Sequence, residues 1–120
     1  MMYEDRKKII EEGINKLVER VRKGAVGGYL LITEKTTGKY VQCSILSENV
    51  ENIFIEVPEG QLSEGEIDGV INVLSRYDPE RATNFQASVG INAAFDAIES
   101  IFREGLNFPE DYDVEVELLI

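Results

Sequence analysis

"YLLITEKTTGKYVQCSILSENVENIFIEV", residues 29–57, holds three runs rich in β-branched and aromatic side chains, separated by two short turn signals. The runs "YLLITEK" and "KYVQCSIL" flank "TTG", which reads as a hairpin turn around Gly38. "SEN" at 47–49 marks a second turn ahead of "NIFIEV", and Pro58 ends that run because proline cannot donate to a ladder. Three consecutive strands joined by short turns form an antiparallel meander. Leu30, Ile32, Val41, Ile53 and Ile55 are its candidate partner-binding positions. A period of two does not say which face of a sheet meets the core, so core and partner contact both stay open for them.

Outward from the meander the period changes. Upstream, Ile10, Ile14, Leu17, Val18 and Val21 recur at helical spacing over roughly Tyr3 to Lys23, with Glu, Lys and Arg on the other face. "GAVGG", Gly24 to Gly28, stops that helix, since glycine favours neither regular state and permits positive φ. Downstream, Ser63 and Glu66 match a capping box that opens a second helix, with Ile67, Val70, Ile71 and Leu74 as its core face and Asp78-Pro79 beyond its end. "TNFQASV" reads as a short strand. Ile91, Ala94, Phe95, Ile98, Ile101 and Phe102 share one stripe of a third helix, about 91–104, with Gly105 as its C-terminal cap. "VEVELLI" closes the chain as a strand after Pro109. The order helix, three strands, helix, short strand, helix, strand predicts an α+β fold, an antiparallel sheet packed with three helices.

The chain has 120 residues, 43% of them hydrophobic, which suits a single domain over 1–120 with one core. No run of about 18 apolar residues is present, so no membrane span is expected. The beginning "MMYEDRKKIIEEG" lacks the apolar stretch of a secretory signal, and the lone Cys43 sits in a strand-like run as a small buried hydrophobe; a reducing, cytoplasmic location is expected. The net charge of -11 divides unevenly: residues 1–41 carry nine Lys and Arg against six Asp and Glu, residues 42–120 three against seventeen. An acidic body repels phosphate, so no nucleic-acid binding is expected.

The chemistry on offer is sparse. With no histidine, the commonest general base, the usual nucleophile pairs and the usual zinc ligands are missing, and the expectation is a protein that is not an enzyme, with no catalytic, cofactor-binding or metal-ligating residues. "GAVGG" lacks the Lys-Ser/Thr of a phosphate loop and sits between a helix and a strand, so it reads as a connector. Asp111, Asp113, Glu115 and Glu117 alternate with Tyr112, Val114, Val116 and Leu118, which puts the carboxylates on one strand face. A divalent cation needs ligands converging from several directions, whereas this ladder points one way; a wet sheet face that discourages edge pairing explains it. Arg6, Lys7, Lys8, Lys16, Arg20, Arg22 and Lys23 lie opposite the apolar stripe of the first helix, a face suited to an anionic membrane or an acidic partner. Interleaved Glu11, Glu12 and Glu19 weaken the membrane reading and favour core docking or packing against a twin helix. Phe85, Phe95, Phe102 and Phe108 read as core.

The segments "IFIEVPEGQLSEGEIDGVINVLSRY", "NFQAS" and "AAFDAIESIFREGLNFPEDYDVEVEL" together resemble the type III secretion chaperone-like superfamily, in its YbjN-like and Tir-chaperone-like branch. The matching features are Leu62-Ser63 opening a helix, Asn84-Phe85, Phe102 with Glu104, and Pro109 with Asp111 ahead of an acidic strand; Ser75-Arg76-Tyr77 departs from the Gly-Trp-like pair of many relatives. The resemblance implies a small acidic protein, commonly a homodimer, that binds a segment of another polypeptide in a chaperone-like or regulatory role. The alternative is an acidic inhibitor or immunity-like protein that neutralises a basic partner through Glu99, Asp111, Asp113, Glu115 and Glu117.

Overall fold

The computed structural model describes residues 1–25, 27–47 and 50–119. Its elements are α1 (Tyr3–Arg22), β1 (Tyr29–Glu34), β2 (Tyr40–Ser44), β3 (Asn52–Glu56), α2 (Glu64–Ser75), β4 (Gln86–Gly90), α3 (Ala94–Ser100) and β5 (Val114–Leu119). This is the α+β order expected from the sequence. The strands form one antiparallel sheet in the order β4-β3-β2-β1-β5, so the meander is central and the last strand pairs with the first. Of the expected turn at 47–49, residues 48 and 49 lie outside the described residues, as do residue 26 of the glycine connector and residue 120 of the closing strand.

Local signals account for the boundaries. The α1 end is a Schellman motif: Ala25 N–H donates to the Arg20 carbonyl and Gly24 N–H to that of Val21, both at 3.0 Å, with Gly24 at φ 89. Gly38 takes φ 78 in the first hairpin. There the buried Glu34 carboxylate accepts from Thr36 N–H at 2.9 Å and from the Thr37 N–H and hydroxyl at 2.8 Å each. Ser63 and Glu66 form the expected capping box, Ser63 N–H donating to the Glu66 carboxylate at 2.8 Å. Lys39 reaches the same carboxylate at 2.6 Å and ties the hairpin to α2.

All three helices cover one face of the sheet. Leu30, Ile32, Val41, Cys43, Ile53, Ile55, Val57, Ala87 and Val89 point into a single core with Ile10, Leu17, Val70, Leu74, Ile98 and Phe102. Phe85, Phe95 and Phe102 are buried in it and Phe108 packs at its margin. Burial pushes the Cys43 thiol up to about 12, which keeps it protonated and inert.

Two expectations about helices need correction. In α2 the fully buried residues are Val70, Val73 and Leu74, whereas Ile67 and Ile71 only border the core. The third helix is not one α-helix over 91–104: a 3-10 turn (Ile91–Ala93) leads into α3, and a π turn (Ile101–Gly105) follows. Gly105 does not cap it; the residue at positive φ is Asn107, at 59. α2 and the π turn meet closely. A Cβ on Gly69 would sit 2.8 Å from the Gly105 carbonyl oxygen, so α2 and the π turn touch backbone to backbone. The contact lies on the side of α2 that carries the buried Val70 and Val73.

Candidate functional site

Leu30, Ile32, Val41, Ile53 and Ile55, the five candidate partner-binding positions, all have zero exposure and belong to the core beneath the helices. The opposite phase of the same strands lies on the other side of the sheet from that core. Cross-strand pairing aligns Ser88, Phe54, Ser44, Tyr29 and Leu119 in one row across the sheet and Gln86, Glu56, Gln42, Leu31 and Glu117 in the next. Phe54, Tyr29, Leu31, Leu119 and Tyr40 on this face are half-buried. Leu46, 74% exposed, stands beside them. With Val21, Tyr29, Gln42, Ile45 and Ser47 it lines a groove of about 400 Å³ at the end of β1 and β2.

The two edges of the sheet differ. On β4, Val57 N–H bonds to the Phe85 carbonyl at 2.9 Å, so ladder alternation turns the Gln86 and Ser88 amides outward. Both are taken: Gln86 N–H donates to the Arg81 carbonyl at 3.3 Å and Ser88 N–H to Asp78 Oδ2 at 2.9 Å. The Asp78 carboxyl is held below its ordinary value by that backbone bond and by Arg81, so it stays ionised and keeps the edge closed. On β5, Lys35 N–H bonds to the Asp113 carbonyl at 3.0 Å, and alternation then turns the Val114, Val116 and Leu118 amides outward. Among the described residues β5 pairs only with β1.

The acidic ladder lies along this edge. Asp111, Asp113, Glu115 and Glu117 are exposed, while Tyr112 and Val114 are buried and Val116 and Leu118 half-buried, as the alternation predicted. Asp113 lies 2.6 Å from the Met1 amino group. Two charged residues assigned to surfaces need correction. Arg6, grouped with the basic face of α1, is 1% exposed; its guanidinium clamps Glu99 at 2.8 and 3.1 Å and stacks over the Tyr112 ring. Glu99, named for an acidic inhibitory face, is occupied by the same clamp. A cation desolvated against an aromatic ring needs a carboxylate partner, and that need draws both inward. Among the described residues no three His, Cys, Asp or Glu side chains converge as a metal site. None of the described helices is long and apolar enough to cross a membrane.

Sequence reasoning missed Tyr29, Leu31, Tyr40 and Phe54 as surface candidates. The signal was in the composition of each phase. One phase of the meander is aliphatic but for Cys43 and Glu34, and the other mixes aromatic, amide and hydroxyl side chains, as a half-wet face does. No protein-family model, curated protein or solved structure matches the chain.

Proposed function

We propose that this chain is a non-enzymatic module that binds a segment of a partner polypeptide on the open side of its sheet, in the manner of secretion chaperones. The observation that carries the reading is the placement of all three helices on one face, which leaves half-buried Phe54, Tyr29, Leu31 and Leu119 on the other, beside β5, which pairs only with β1 among the described residues. Extended polypeptides are recognised by such surfaces through an exposed edge and pockets for alternate side chains. The resemblance to the type III secretion chaperone-like superfamily supports the same reading. It adds a homodimer to the proposal, formed away from the β5 edge, where like carboxylates would meet. The test is affinity capture of the tagged protein from its native cells beside a Leu31→Glu/Phe54→Glu variant, with circular dichroism and sedimentation on both. The reading expects a stoichiometric polypeptide that the folded variant no longer retains. Equal capture by both proteins would move binding elsewhere. Capture lost steeply with salt yet indifferent to the variant would favour the acidic-inhibitor reading, with Asp111, Glu115 and Glu117 as its exposed carboxylates outside the Met1–Asp113 and Arg6–Glu99 pairs.

A further inference from the structure

We propose that the β5 edge takes a partner strand of one chemical kind, a segment in which Lys or Arg alternates with aliphatic residues. The inference rests on the polypeptide-binding reading and names what that partner carries. Three properties of the edge converge on it. The first is hydrogen bonding: the outward Gln86 and Ser88 amides of β4 are consumed by Arg81 and Asp78, whereas β5 pairs only with β1 among the described residues and turns the Val114, Val116 and Leu118 backbone outward. A sixth strand therefore adds at β5.

The second is the inner face. Gly13 on α1 has no side chain, and a Cβ there would sit 2.7 Å from Val116 Cγ1, so the helix lies low over the strand. Beside that contact Ile9, Lys16, Leu30, Val116 and Leu118 line a groove of about 280 Å³. Val114 is buried, but Val116 and Leu118, packed against the core and opposite Ile32 and Leu30, are only half covered, so the outer half of β5 leaves apolar surface open on its inner side. Inward side chains of an added strand would fill that space, and branched aliphatic groups suit a narrow slot between helix and strand.

The third is charge. Glu115 and Glu117 stand on the outer face at the spacing at which a neighbouring strand presents its own outward side chains. Among the described residues neither forms an ion pair, and their cross-strand partners on β1 are the uncharged Thr33 and Leu31. Basic residues on the incoming strand would supply both carboxylates with partners. A second copy of this chain fits poorly: antiparallel β5 against β5 centred on Val116 sets Glu115 opposite Glu117 twice.

The experiment uses three peptides of about seven residues, alternating Val with Lys, Ser or Glu, added to the whole chain and followed by amide hydrogen exchange and chemical shifts. The Lys-Val peptide is expected to bind roughly tenfold more tightly than Ser-Val, with Glu-Val weakest. Val114, Val116 and Leu118 amides should gain protection, while Glu115 and Glu117 amides, already bonded to β1, should not change. Glu115→Lys/Glu117→Lys should reverse the order so that Glu-Val binds best. Equal binding of all three peptides at β5 overturns the charge assignment and leaves the polypeptide-binding reading standing. No β5 protection by any peptide overturns this proposal; if partner capture is also indifferent to Leu31→Glu/Phe54→Glu, the underlying reading falls with it.

Discussion

The guanidinium carbon of Arg6 lies 4.0 Å from the centre of the Tyr112 ring, directly in front of β5 in the chain. The same cation clamps Glu99 on α3 and donates to the Tyr112 carbonyl at 3.3 Å, so one buried charge joins α1, α3 and the approach to β5. Arg6→Met leaves the Glu99 carboxylate in place without its partner, and a loss of about 3 kcal/mol is expected in urea unfolding. The double variant with Glu99→Met should lose less than the sum of the two single changes, because neither charge is then stranded. A near-neutral Arg6→Met would show that the clamp contributes little.

Tyr112 itself carries a buried hydroxyl beside Glu99 and Arg6 that makes no hydrogen bond of good geometry. Burial, and then the Glu99 charge, push its pKa up, so it stays protonated. Tyr112→Phe keeps the ring under Arg6 and removes a poorly bonded hydroxyl; it should be neutral or stabilising by up to ~1 kcal/mol. Tyr112→Ala should cost about 3–5 kcal/mol. Thermal unfolding of both variants decides whether the ring or the hydroxyl matters, and a destabilised Tyr112→Phe would reveal a bond to the hydroxyl.

Glu34 makes acid sensitivity predictable. Burial alone would raise its pKa, but the bonds from Thr36 and Thr37 outweigh burial and hold it below the ordinary carboxylate value. A depressed folded pKa means that its stabilisation is complete above the unfolded value, about 4.3, and is lost as pH falls through the folded value. Glu34→Gln should cost about 1–2 kcal/mol at neutral pH, and the gap to the parent should close below about pH 4. Denaturant midpoints measured from pH 7 to pH 3 test this, and a gap independent of pH would mean that ionisation of Glu34 is irrelevant.

Glycines 65 and 69 stand four residues apart on α2 and should respond oppositely. A methyl group at Gly69 meets the Gly105 carbonyl oxygen, whereas at Gly65 it meets nothing within 4 Å. Gly69→Ala should destabilise by about 1–3 kcal/mol through forced separation of α2 from the π turn. Gly65→Ala should stabilise by about 0.5 kcal/mol through helix propensity. Equal shifts in melting temperature would contradict the backbone contact.

Past Pro58, where β3 has ended, Gln61 takes its place beside β2. Tyr40 N–H donates to Gln61 Oε1 at 3.0 Å, and Gln61 Nε2 donates to the Tyr40 carbonyl at 2.6 Å. Gln61→Ala should lower stability by about 1 kcal/mol and speed exchange at the Tyr40 amide selectively. Unchanged exchange there would show that the side-chain amide is dispensable.

Much of this architecture is local in origin and was legible for that reason. The α1 stripe, the Ser63–Glu66 box, Gly38 in its hairpin and the alternation after Pro109 each follow from bonds or periodicities within a few residues, and each appears where the sequence placed it. The misjudged features depend on distant partners. Gly105 resembles a cap until Gly69, 36 positions earlier, is brought against it. Arg6 resembles one more surface cation until Glu99, 93 residues away, closes on it.

By itself the sequence determined the kind and order of the elements, because dihedral preference, capping and hydrophobic period are encoded in neighbouring residues. Only the tertiary structure decided which phase of the meander is buried and which edge is open. Helices laid on one face make Leu30, Ile32, Val41, Ile53 and Ile55 core and leave Tyr29, Leu31 and Phe54 half-buried on the other. The turn between α2 and β4 closes one edge while β5 keeps the other. A period of two is symmetric between the faces of a sheet, and that symmetry is broken only when the helices pack.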